Sequence, residues 1–122
     1  MTFNNVVIII PTYNEEPTIE ETLRQVLLVA SSINEHHVNI LVFDSGSTDR
    51  TASLVKTMQQ TESRIHLQTE THKSGLGSAY LQAMRHALYS MNADVVFEFD
   101  AEFAYSCGQQ CDYRHQVYHH GH

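Results

Sequence analysis

The chain is poor in the features that would place it quickly. It has five glycines and two prolines in 122 residues, with 42% apolar and 17% charged residues, which excludes a fibrous or disordered chain. It has no lysine and arginine cluster: seven basic residues face fourteen acidic ones, for a net charge of -7, so the basic footprint that nucleic acid requires is missing. Its longest apolar runs, such as Val6 to Ile10, fall far short of the ~20 residues that span a bilayer, and no basic n-region precedes an apolar segment as in a signal peptide. The only cysteines, Cys107 and Cys111, lie together near the C-terminus and make no disulfide framework. The expectation is one soluble, cytoplasmic domain.

What is present is an alternation of strand-like and helix-like segments. Val6 to Ile10 is a β-branched run stopped by Pro11, as expected of a strand buried on both faces. Pro17 suits a first helical turn, and Ile19, Leu23, Val26, Leu27 and Ala30 follow at helical spacing. Val38 to Phe43 predicts a second strand, broken by Asp44-Ser45-Gly46-Ser47-Thr48-Asp49. Ala52, Leu54, Val55 and Met58 predict a short helix with Ser47 or Thr48 as N-cap. Ile65 and Leu67 make a weak third strand. Ala79 to Met91 reads as a helix with Tyr80, Met84, Ala87, Leu88 and Met91 along one side, and Val95 to Phe99 as a fourth strand ending at Asp100. Strands separated by helices imply parallel βαβ units, hence an α/β fold with a three-layer, Rossmann-like parallel sheet.

The alternation stops after Phe103. Residues 1–104 are expected to form the domain and 105–122 an irregular, non-native or disordered tail, in which Val117 is the only aliphatic residue apart from glycine. Cys107, Cys111, His115 and His119 recur every four residues and are chemically able to bind zinc. On a helix, however, such positions advance about 40° past each turn and spiral apart, so chance composition is the preferred reading.

Ligands of open parallel sheets sit beyond the carboxyl ends of the strands. Three acidic, hydrogen-bonding stations occupy those positions: Pro11-Thr12-Tyr13-Asn14-Glu15, Asp44 to Asp49, and Asp100-Ala101-Glu102. No G-x-G-x-x-G follows the first strand and no G-x-x-x-x-G-K-[ST] occurs, which removes the usual dinucleotide and triphosphate cradles. A receiver domain would carry an acidic pair where this chain has Pro11-Thr12-Tyr13. Carboxylates can instead hold a divalent ion that bridges to diphosphate oxygens. Taken singly, Asp44 and Asp49 are also readable as turn and cap residues, and Gly75 and Gly77 as relief of a strained turn.

These stations, together with Lys73-Ser74-Gly75-Leu76-Gly77-Ser78-Ala79-Tyr80, resemble in order the motifs of family 2 glycosyltransferases, and the Gly-Leu-Gly-Ser-Ala-Tyr segment is most similar to polyprenol-phosphate (dolichol-phosphate) mannosyltransferases. The resemblance spans about Val6 to Phe103. It implies a nucleotide-sugar-binding GT-A fold in which Pro11, Tyr13, Glu15, Asp44, Lys73 and Ala101 meet the nucleotide. Asp100 and Glu102 would hold Mg2+ or Mn2+, with Glu102 standing where the family has a second Asp. Gly75 and Gly77 would lie alongside the site.

The implied donor is GDP-mannose or a related nucleotide sugar. The implied acceptor is a polyprenyl phosphate, reached from the cytoplasmic face of the membrane, and the implied reaction is inverting transfer. No catalytic residue is assigned. Beyond Phe103 the family's continuation is absent, so the expectation is the N-terminal half of such an enzyme. The alternative is a fragment that binds nucleotide and transfers nothing. An unrelated doubly wound binding domain finds no supporting motif.

Overall fold

A computed structural model describes residues 5–33, 36–71, 75–98 and 117–119. Along the chain come β1 (Asn5–Thr12), α1 (Ile19–Ser31), β2 (His37–Ser45), α2 (Thr51–Gln59), β3 (Ile65–Glu70), α3 (Leu76–Arg85) and β4 (Val95–Glu98). A π-helical turn, His86–Ser90, continues α3, and a short β5 (Val117–His119) ends the sequence of elements. The sheet order is β3-β2-β1-β4-β5, with β1 to β4 parallel and β5 antiparallel to β4.

The alternation of side chains along the strands builds two cores. On one face, Val6, Ile8 and Ile10 of β1 and Val38, Ile40 and Val42 of β2 pack with Ile19, Leu23, Val26 and Ala30 of α1 and Val55 of α2. On the other, Val7, Ile9, Leu41, Phe43 and Val96 meet Ala79, Ala83 and Ala87, with Met84, Leu88 and Met91 packed around them. Successive strand residues point to opposite faces, so burial of both faces is why the strands read as unbroken apolar runs. This is the expected three-layer α/β sheet, with α1 and α2 below and α3 above.

Several details depart from the sequence reading, each for a local reason. β1 does not stop at Pro11 but runs to Thr12, with Pro11 opposite Phe43. The described pairing with β4 ends at Ile9, so among the described residues Pro11 borders β2 alone, and a strand bordered on one side tolerates a missing N–H. The third helix begins at Leu76, three residues earlier than its apolar spacing suggests, directly after Gly75. Gly75 has φ +105, and a Cβ there would meet nothing within 4 Å, so the need for glycine lies in the backbone and not in space.

The most deeply buried side chains of α3 and its π-helical turn are alanines: Ala79 and Ala83 join the expected Ala87, with Met84, Leu88 and Met91 packed around them and Tyr80 half-buried. Ala79, Ala83 and Ala87 are at most 2% exposed, whereas Leu81 is 55% exposed. Short side chains let the helix lie close to the sheet. Within the tail expected to be irregular, Val117–His119 pairs with β4 in the register Val95↔His119 and Phe97↔Val117. Without it β4 would be a bare edge whose amides and carbonyls need partners, and valine and tyrosine favour the strand conformation.

The alanine stripe makes a direct prediction. Ala83→Leu should destabilise the fold by about 1–3 kcal/mol through overpacking. Leu81→Ala, on the exposed side of the same helix, should stay within about 0.5 kcal/mol. Urea unfolding midpoints of the two variants would check this, and equal shifts would contradict the placement of α3.

Candidate functional site

Sheet register brings the first two stations together. Thr12 lies opposite Asp44 at the carboxyl ends of β1 and β2, and both are almost fully buried, at 3% and 2% exposure. A carboxylate can remain at such a position only if donors replace its water. Three do: Thr12 Oγ1 donates to Asp44 Oδ1 at 2.7 Å, the Ser47 N–H donates to Oδ2 at 2.9 Å, and the Ser47 hydroxyl donates to Oδ1. Gly46, at φ 73, turns the chain back so that Ser47 can reach the strand end it has just left. An ionised carboxyl offers about four acceptor positions, so Asp44 keeps about one for a ligand.

Beyond the strand ends the two loops interlock. Asn14 takes φ 53, a left-handed conformation that asparagine tolerates better than most residues. Its Oδ1 accepts from the Thr48 N–H at 2.8 Å and the Asp49 N–H at 3.3 Å, and its own N–H donates to Ser47 Oγ at 2.8 Å. In the reverse direction, the Glu15 N–H donates to Thr51 Oγ1 at 2.8 Å and the Glu16 N–H to Asp49 Oδ2 at 3.2 Å. The Arg50 N–H donates to Glu16 Oε1 at 3.1 Å. The Glu15 carbonyl accepts from the Thr18 and Ile19 N–H groups at 3.0 and 2.9 Å, and so opens α1.

Ser47 and Thr48 are therefore not the caps of α2 that the sequence suggests, because they are committed to Asp44 and Asn14. The helix starts at Thr51 with Arg50 as its N-cap, and Asp49, one residue before the cap, satisfies the first helical amide: its Oδ1 accepts from the Thr51 N–H at 2.9 Å and from the Thr51 hydroxyl. Burial pushes the Asp49 carboxyl up, but the Thr51 hydroxyl and N–H and the Glu16 N–H outweigh it and hold the group below its ordinary value of 3.8.

Of the residues singled out from the sequence, Pro11, Tyr13, Glu15 and Asp44 gather on one rim. Pro11 is buried, Glu15 half-buried, and Tyr13 is 38% exposed at the loop tip. Lys73, Asp100, Ala101 and Glu102 lie outside the described residues, as do Cys107, Cys111 and His115. Among the described residues no group of three or more His, Cys, Asp or Glu side chains is placed to hold a metal.

The sequence reading gave no role to Thr12, Asn14 or Thr51, though Thr51 is fully buried. It also passed over Glu98, a 9% exposed carboxylate opposite Ile9, hidden within an apolar strand run. An asparagine next to the one aromatic residue in a turn was the available signal for Asn14.

With this geometry in place, comparison with known proteins is informative. The sequence profile of glycosyl transferase family 2 matches residues 7–106. The polyprenol monophosphomannose synthase of Mycolicibacterium smegmatis is 35% identical over 100 residues, which cover 78% of this chain and 34% of that protein. The undecaprenyl-phosphate mannosyltransferase of Micrococcus luteus is 34% identical over 97 residues, covering 80% and 37%.

A mannosyltransferase from Pyrobaculum calidifontis, solved in complex with GDP-Man and Mn2+, superposes with a TM-score of 0.66 at 34% identity, over 80% of this chain and 27% of that one. This chain spans about a third of the length of the curated relatives it matches.

The hydrogen-bonded Asp49 carboxylate predicts a pH dependence. Because its folded pKa is depressed, its contribution to stability is present above the unfolded value and is lost as pH falls through the folded one. Urea midpoints should therefore drop from about pH 5 downward, and Asp49→Asn should be less stable at pH 7 with a shallower acid slope. Parallel slopes for the two proteins would remove Asp49 from this role.

Proposed function

The chain belongs to glycosyl transferase family 2, and from that premise we propose that its described sheet is the donor side of a transferase that takes a nucleotide diphosphate sugar, GDP-mannose or a relative. The observation that carries this reading is the buried Asp44 carboxylate, fixed by Thr12 and Ser47 at the carboxyl edge of the sheet with an acceptor position left over. A base N–H is the natural donor to it, and Pro11, Tyr13 and Glu15 would line the nucleoside from the neighbouring strand. Lys73 and Ala101 would meet the rest of the nucleotide. The GDP-Man complex of the Pyrobaculum protein supports this donor class.

Asp100 and Glu102, two and four residues past the end of β4, would hold a Mg2+ or Mn2+ ion. Their hard carboxylate oxygens suit either ion, and such an ion commonly takes one or two carboxylates plus substrate phosphates, not an all-protein cage. When bound, the ion would neutralise charge on the diphosphate leaving group. The Mn2+ in the Pyrobaculum complex supports a divalent cation.

The acceptor we propose is a polyprenyl phosphate, in keeping with the activities for which the two bacterial relatives are named. A phosphate monoester, with a second pKa of about 6, is already anionic near neutrality and can attack the anomeric carbon without a strong general base. A single displacement of this kind inverts the sugar's configuration. The lipid acceptor would bring the reaction to the cytoplasmic membrane face, while among the described residues no helix is long and apolar enough to cross a membrane. A second reading is nucleotide binding without transfer by this chain alone.

Calorimetric titration with GDP and UDP, with and without Mn2+, followed by a transfer assay to a short polyprenyl phosphate, tests both. Mn2+-enhanced binding with turnover is expected for the first reading, and binding without turnover for the second. Absence of binding at millimolar nucleotide would remove both. Asp44→Asn should weaken nucleotide binding about 10- to 100-fold, as expected for the loss of a hydrogen bond to a charged group.

A further inference from the structure

We infer that Asn14 is a positioning residue for the nucleotide site: it sets the β1 loop against the β2 loop so that Tyr13, Glu15 and Asp44 present themselves to one ligand. The inference rests on the reading of this rim as a nucleotide site and adds what holds the rim in shape. Sheet register fixes Thr12 and Asp44, but the described pairing of β1 with β2 stops there, and Tyr13 and Glu15 lie beyond it. Their placement must come from the loops themselves.

Asn14 stands between Tyr13 and Glu15, and its side-chain oxygen is spent on the opposite loop. One amide oxygen gathers the Thr48 N–H at 2.8 Å, the Thr48 hydroxyl at 3.3 Å and the Asp49 N–H at 3.3 Å. Its N–H is taken by Ser47 Oγ at 2.8 Å, and that same Ser47 holds the Asp44 carboxylate. Asn14 and Asp44 are therefore one serine apart. The chain accepts a left-handed backbone at Asn14, φ 53, to make this arrangement.

Asn14 is exposed and lies outside both apolar cores, so core packing does not account for it. Holding two loops in the bound geometry before the ligand arrives reduces the ordering cost of binding.

Three variants separate the parts. Asn14→Gly keeps the left-handed backbone and removes the acceptor, Asn14→Asp keeps an acceptor and tolerates the backbone, and Asn14→Ala loses both. Calorimetry with GDP and Mn2+ is read beside urea unfolding and amide exchange on the full chain. The expected result is that Asn14→Gly and Asn14→Ala bind GDP about tenfold or more weakly. The Thr48 and Asp49 amides of both should exchange faster, while protection in β1 and β2 is kept. Asn14→Asp should retain binding within about threefold and the slow exchange.

If wild type binds and Asn14→Gly binds equally well despite faster Thr48 and Asp49 exchange, the positioning role is wrong and the nucleotide site stands. If wild type binds neither GDP nor UDP, the nucleotide reading fails and takes this inference with it.

Discussion

Burial of β1 on both faces is the constraint from which the architecture follows. Val7 and Ile9 on one side and Val6, Ile8 and Ile10 on the other cannot be covered by helices on a single face. The chain meets this by running outward through β2 and β3 under α1 and α2, then returning over the opposite face through α3 to lay β4 on the free side of β1. That return reverses the direction of strand placement at β1, and an open sheet has its ligand crevice where such a reversal occurs. The location of the site is thus a by-product of how the apolar strand is covered.

At that crevice a second constraint operates. The loops must leave the sheet carrying polar groups, yet Thr12, Asp44 and Thr51 are all nearly inaccessible to water. Their hydrogen-bonding needs are met mutually: Thr12 and Ser47 serve Asp44, and Asp49 serves Thr51. Such a network is favourable only when its members are satisfied, because a buried polar atom left alone costs more than its hydrogen bond contributes. Rigidity at the rim is therefore tied to the same contacts that make burial tolerable there.

The layers were legible from sequence because they depend on periodicity, which is local. The strand run Val6 to Ile10 and the helical spacing of Ile19, Leu23 and Val26 lead to the observed elements, and the motif order leads to the family. The rim was half legible. Asp44 stands out as an acid after an apolar strand, but the roles of Asn14 and Thr51 depend on partners 34 and 36 residues away, which no local pattern encodes. Ser47 and Thr48 looked like helix caps for the same reason: their intrinsic preference is for capping, and tertiary partners outbid it. Ala79 and Ala83 were passed over as core residues of α3 because size suggests burial, whereas a close helix-to-sheet approach selects alanine.

The pairing of β5 with β4 makes the two borders of the sheet unequal. With β4 covered by β5, the described sheet ends in the three-residue β5 on one side and the six-residue β3 on the other, whose inner side alone is paired, with β2. A strand donated by another molecule, in productive assembly or in aggregation, finds its longer border at β3, with the sequence Ile-His-Leu-Gln-Thr-Glu. Its polar alternation and terminal glutamate are the kind of chemistry that discourages edge-to-edge growth. Association through the described sheet is thereby limited to a border of this kind at β3 and a three-residue border at β5.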